Sequence, residues 1–390
     1  MTHAKTTPEL PAPIGVDGFF QPRRVAFWVL VFFIANGLFF ETTQLLTAYR
    51  IVPTAVLFGV FAWTLYTIPV LLFFRSLDLF EQHPALGFAL AFAWGGFAAT
   101  YLAIPANGAI FSLASKLGGP QFGADWGAAL AGPIVEETLK LLSVVLLVLV
   151  ARTQFPTLLS VVATGAVVGL GFQVLEDLSY SLNAAIAFPM DNEVLPVALV
   201  FGTRGIVSGI WSHAMYTSIT AFGVGYFLTR RHKPLAQRLG VAVAAYAVAL
   251  SVHFFWNSPF FSDLNFFVSV LIKAIPVAVI GVLIWRLAGK DEGAYLKVLA
   301  ERFVADDLIT PEERAGLPSL LRRRQARKAV KEAHGRKAAH ALRELQREQV
   351  RLVMHHGRQG AGAALADHEY AVRRARARLD ALTGDHHARV

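Results

Sequence analysis

The sequence predicts an all-α, polytopic membrane helix bundle of about eight spanning helices, followed by a basic helical tail. Three observations carry this. Apolar runs of roughly 20 residues, the length a helix needs to cross the hydrocarbon core, recur up to Leu287 in a chain of 390 residues. Hydrophobic residues make up 55% of the chain, more than in ordinary soluble domains. The net charge of +9 is concentrated after Leu287, where the tail alone carries about +7. The chain has no cysteine, which excludes a disulfide framework and a thiolate metal site. Any metal must then be held by His, Glu, Asp or Asn.

Residues 1–24 are polar and proline-bearing and read as a cytoplasmic N-terminal segment without a cleavable leader. The expected spans are 25–45, 51–74, 85–104, 126–150, 157–186, 196–228, 239–258 and 266–287. Between 107 and 123 the pattern weakens, and Ile110, Phe111, Leu113 and Leu117 suit a short interfacial helix. Residues 188–192 read as a loop. Residues 288–390 form a charged, mostly helical tail. In it, Thr310-Pro311-Glu312-Glu313 is a helix start, with Thr as cap and Pro at the first position. A basic helix from 320 to about 355 is expected, with Leu342, Leu345 and Leu352 at helical spacing. Gly357, Gly360 and Gly362 end it, and 363–382 reads as a second helix. His355-His356 and His386-His387 make poor metal sites, because adjacent helical side chains diverge.

Basic residues in short loops set orientation. Arg230, Arg231, Lys233 and Arg238 lie between the sixth and seventh spans, Arg23 and Arg24 before the first, and Arg286 and Lys290 after the last. With eight spans all fall on one side, which puts both termini in the cytoplasm. The basic tail obeys the same rule. Contact with anionic lipid or an acidic protein is expected of it, in preference to nucleic acid.

Against this background Glu136-Glu137-Thr138-Leu139-Lys140 stands out, because charges inside a span are expensive and retained for function. At ~100° per residue, Lys140 projects between the two acids and serves both at i+4 and i+3. Glu176, His213, and His253 with Asn257 occupy three later spans. Glu136 is about ten residues into an inward-running helix, roughly 15 Å deep. The alternation of helix direction brings all of these residues into the same, non-cytoplasmic half of the membrane. Their faces agree as well: Gly165, Gly169, Phe172 and Glu176 share one stripe, and Gly205, Gly209, His213 and Thr217 another. Small residues beside a polar one let helices approach closely.

These motifs, with Gly171-Phe172-Gln173-Val174-Leu175-Glu176, Ser212-His213-Ala214 and His253-Phe254-Phe255-Trp256-Asn257, resemble the PrsW family of intramembrane proteases. That family is similar to the wider group of CAAX-processing and bacteriocin-processing membrane endopeptidases. The resemblance spans roughly residues 25–287, read as the protease core, and departs at Asp177, where the family's motif continues with Asn. It implies a metalloprotease of the bacterial cell membrane, acting on a membrane protein, as relatives do on single-span anti-sigma factors.

The expected mechanism follows. One carboxylate takes a proton from water that attacks the scissile carbonyl. Glu136 is the favoured base and Glu137 its partner, with the reverse order open. Lys140 holds the pair. Glu176, His213 and His253 hold a divalent metal, zinc first, and Asn257 donates to the oxyanion. A metal-free version, with His and Asn as oxyanion partners, is equally consistent. Two other classes fit buried Glu and His: a proton- or metal-ion-coupled transporter, and an inactive membrane scaffold. A transport pathway would spread polar groups over several depths, whereas these cluster in one half.

Overall fold

The computed structural model describes residues 17–77, 85–188, 192–209, 212–359 and 363–384. The expected loop residues 189–191, most of the N-terminal segment, and His386-His387 lie outside the described residues. The chain divides into two compact units, one within 18–288 and the other mainly 289–390.

In the first unit the helices are α1 (Val25–Ile51), α2 (Pro53–Leu77), α3 (Ala85–Ala93), α4 (Thr100–Gly118), α5 (Pro120–Val150), α6 (Leu158–Ala187), α7 (Val194–Val200), α8 (His213–Thr229), α9 (Leu235–Asn257) and the first part of α10 (Phe266–Phe303). Wider π-type turns occupy Trp94–Ala99 and Phe201–Ser208. Among the described residues six helical stretches are long and apolar enough to cross a membrane, and the bent pair Val194–Ser208 and His213–Thr229 makes a seventh. At 31 residues α5 is also long enough, and differs in carrying Glu136, Glu137 and Lys140 in mid-helix. The protein is a multi-pass membrane helix bundle.

α6 is the axle of this bundle. Its apolar window is 94% buried, against 17% for those of α1 and α10. A helix that is apolar all round belongs in the centre. The outer helices turn Phe32, Phe39, Phe61, Phe267 and Leu271 outward, as surfaces facing lipid do. α6 begins at a capping box, in which the Thr157 hydroxyl accepts from the Ser160 amide at 3.1 Å and Ser160 accepts from Thr157 N–H at 3.3 Å. Its glycines let α8 come close. A Cβ on Gly169 would lie 2.2 Å from the carbonyl oxygen of His213, so no side chain fits there.

Two elements differ from the sequence expectation. The sixth span is not one helix: the chain bends by 41° between Ser208 and His213. Local hydroxyls compete with the helical ladder there, Ser208 donating to the carbonyl of Thr203 at 2.9 Å and Ser212 to that of Gly209 at 2.9 Å. His213 consequently starts a helix rather than sitting within one. The expected interfacial helix is absent: α4 runs unbroken through Asn107 to Gly118. Gly119, at φ +93°, then turns the chain directly into Pro120 at the start of α5.

One end of the bundle is closed by arginines on helix C-termini. Arg24 Nη1 donates to the carbonyls of Leu149 and Val150, at 3.1 and 2.8 Å, at the end of α5. Arg152 reaches the carbonyl of Leu228 at 3.4 Å, and Arg238 Nε that of Phe227 at 2.8 Å, both near the end of α8. Cations there satisfy terminal carbonyls and oppose the helix dipole.

The second unit has its own core of Leu296, Leu299, Ile309, Leu342, Leu345, Leu352 and Val372. Its helices are α11 (Pro311–Gly316), α12 (Leu320–Gln359) and α13 (Ala363–Thr383), and α13 packs on α12. Thr310 caps α11 as expected, and it forms a capping box with Glu313, at 3.3 and 3.0 Å. α12 is kinked at Gly335, φ +86°, and continues past Gly357 to Gln359. His356 stacks on Phe303, while His355 lies against His368.

Gly169→Val is expected to force α6 and α8 apart and cost about 1–3 kcal/mol, as overpacking does. Gly240→Ala, on α9 with nothing within 4 Å of the added Cβ, serves as control. Thermal unfolding in detergent checks it: a melting temperature lowered for the first variant only.

Candidate active site

The site residues stand far from the arginine-capped end. Glu136 precedes the end of α5 by 14 residues, Glu176 follows the start of α6 by 18, His213 precedes the end of α8 by 16, and His253 follows the start of α9 by 18. At ~1.5 Å per residue each lies about 21–27 Å from that end. Glu136, Glu137, Lys140, Glu176, His213, His253 and Asn257 are brought together there, and α4 and the Phe201–Ser208 turn add Asn107 and Arg204.

Lys140 lies between the acids as its spacing requires, with Nζ 2.7 Å from Glu137 Oε1 and 3.6 Å from Glu136 Oε2. Glu137 and Lys140 are fully buried. Glu137 Oε1 also accepts from His253 Nδ1 at 3.0 Å. A carboxylate so paired only accepts, so Nδ1 carries a proton, and in the neutral imidazole Nε2 keeps its lone pair. That Nε2 stands 3.8 Å from Glu136 Oε2. The Tyr216 ring stacks on His253, with centroids 4.6 Å apart and planes 17° from parallel.

Glu136 is oriented by a residue that the sequence expectation did not include. Asn107 Nδ2 donates to its Oε1 at 3.0 Å, which leaves Oε2 buried without a hydrogen-bond partner. Donor atoms of Glu136, His213 and His253 all lie within 4.8 Å of one another. Glu176 is not part of that convergent group. Its Oε2 accepts from Arg204 Nη2 at 2.8 Å and lies 3.1 Å from His213 Nε2. Arg204 also pairs with Asp177, and its guanidinium covers the Tyr180 ring at 4.0 Å.

The cluster opens on a cavity of about 310 Å³ that Glu136, His213, His253, Asn257, Asn107 and Arg204 help to line. Glu137 does not line it. Asn257 donates to the carbonyl of Ala128 at 3.3 Å. Gly132 keeps the floor clear: a Cβ there would lie 2.9 Å from Asn257 Nδ2, 3.3 Å from Glu136 Oε1 and 3.5 Å from His253 Nε2. Asn107 carries a weak signal in the sequence, a lone amide in an otherwise apolar stretch. Gly132 carries none.

The family model described as PrsW family intramembrane metalloprotease matches residues 83–285. The chain belongs to the PrsW family. The matched region holds every residue of the site, so this PrsW-family member is a membrane endopeptidase whose substrates are membrane proteins. No curated protein and no solved structure matches the chain.

Asn107→Ala releases Glu136 Oε1. It is expected to lower kcat for cleavage by about tenfold, the scale of one buried hydrogen bond to a charged group, with insertion and KM little changed. Steady-state cleavage in proteoliposomes checks it.

Proposed function

We propose that the enzyme cuts a membrane protein near the extracytoplasmic bilayer face, with Glu136 as the base. The observation that carries this is Glu136 Oε2: buried, without a hydrogen bond, on the cavity, and 3.6 Å from Lys140 Nζ and 3.8 Å from His253 Nε2. An unsatisfied buried carboxylate oxygen is costly and open to whatever enters the cavity. Glu137 is sealed away from it and holds Lys140 and His253 instead. A water donating to Glu136 Oε2 gives up its proton there as its oxygen attacks the scissile carbonyl. The same carboxyl then delivers that proton to the leaving nitrogen. The Asn257 amide donates to the carbonyl oxygen as charge builds on it.

The residues fit a divalent metal. In a second reading Glu136, His213 and His253 offer one oxygen and two imidazole donors, a set that suits zinc, and there Glu136 would be a ligand in place of the free base. Glu136, Glu137, Glu176 and Asp177 also outnumber Lys140 and Arg204 by two charges when the histidines are neutral, which a dication balances. When bound, the metal would acidify a water and polarise the carbonyl. Glu176, expected from the sequence as a ligand, is reassigned as the carboxylate that orients His213 through Nε2.

The positive-inside rule makes the arginine-capped end cytoplasmic, together with both termini, in a bacterial membrane. The site then opens on the outer side, where the extracytoplasmic portion of a single-span, anti-sigma-factor-like substrate would reach it. A prenylated CAAX substrate, made in the cytosol, would not. The basic tail would contact anionic lipid or an acidic protein surface.

Glu136→Gln is expected to reduce cleavage of a reconstituted single-span reporter by at least about a hundredfold with insertion intact. Full cleavage by this variant would remove Glu136 as the base. The orientation is checked by single cysteines in the Cys-free chain. Asn192→Cys and Asp263→Cys are expected to react with a membrane-impermeant thiol reagent in intact cells, and His232→Cys is not. The reverse pattern would turn the site toward the cytosol.

A further inference from the structure

Lys140 has a second partner that its pairing with the acids does not explain. Its Nζ lies 2.8 Å from His213 Nδ1, as close as to Glu137, and 4.3 Å from the centre of the Phe172 ring. An ammonium has three donors and no acceptor. His213 Nδ1 therefore accepts, and the ring proton sits on Nε2, donated to Glu176 Oε2. His253 has the opposite tautomer, with its proton on Nδ1 and its lone pair on Nε2. The two rings, with centroids 5.3 Å apart, are thus not equivalent. His253 offers an open donor atom to the space beside Glu136. His213 reaches Glu136 Oε2 through Nδ1, 3.7 Å away, and that is the atom Lys140 holds.

We infer that Lys140 is a tethered cation that competes with the divalent metal for His213 Nδ1. The inference rests on the metal-centre reading above. One lone pair cannot serve both, and a dication beside a buried ammonium is repelled with little solvent screening. Glu137, at i+3 on the same helix, keeps the ammonium tethered whether or not it holds Nδ1. Metal thus occupies all three donors only when Lys140 withdraws from Nδ1. Without metal, Lys140 keeps His213 oriented and supplies positive charge to the acids. The site is built for exchangeable metal rather than for a permanently held ion.

The test is a titration of Zn²⁺ or Co²⁺ into chelator-stripped, full-length protein in detergent, against a chromophoric competitor and without substrate. Lys140→Met is expected to bind about ten- to a hundredfold more tightly than the wild type, the range spanned by a charge-assisted buried hydrogen bond. The gain should vanish without His213: Lys140→Met/His213→Ala should bind no more tightly than His213→Ala. If the Met variant unfolds because Glu137 loses its partner, Lys140→Gln, neutral but still able to donate to Glu137, is expected to move affinity the same way. Variants that fold and bind metal no better than the wild type would overturn the competition while leaving the metal centre in place. Absence of binding by the wild type and every variant would overturn both.

Discussion

The Lys140–Glu137 ion pair, 2.7 Å long and closed to solvent, is the contact on which the site depends. A carboxylate inside a bilayer has no water to stabilise it, and breaking a buried pair leaves an uncompensated charge, at a cost of about 3–5 kcal/mol. Lys140 removes that cost for Glu137 by helix geometry alone, because i+3 places the ammonium over the acid. Once ionised and held, Glu137 fixes the tautomer of His253. Lys140 does the same for His213. One pair on one helix thus sets the proton positions of two histidines on two other helices, which aims the lone pair of His253 Nε2 toward Glu136.

Bringing those histidines to α5 is the work of α6. Its glycine face admits α8 so closely that the carbonyl of His213 occupies the space a Gly169 side chain would need. The bend in the sixth span puts His213 at the first position of α8, and the preceding turn delivers Arg204 to Glu176 and Asp177. Irregular backbone at this depth is tolerated where it lines a cavity rather than facing lipid. Asp177 adds a negative charge beside Glu176, and Arg204 supplies its counter-charge.

The PrsW match stops at residue 285, close to where the charge density rises, and the tail has its own core of leucines and its own capped helix. All residues of the site precede that boundary.

The acids, histidines and amide singled out in the sequence lie together in the fold, because a charged or polar residue inside an apolar span is legible from composition alone, and helical period then assigns its face. The reach of Lys140 to both acids was legible for the same reason, being a property of one helix. Which of two adjacent carboxylates meets the cavity was not. Glu136 and Glu137 point about 100° apart, and only the rotation of α5 against its neighbours turns one outward and seals the other. The exchange of Glu176 for Glu136 in the convergent donor group has the same origin: Arg204 draws Glu176 to itself across helices. Asn107, Gly132 and the break before His213 were also decided in three dimensions. Period and spacing describe a helix about its own axis, while the contacts that select a donor, a floor and a bend come from helices distant in the chain.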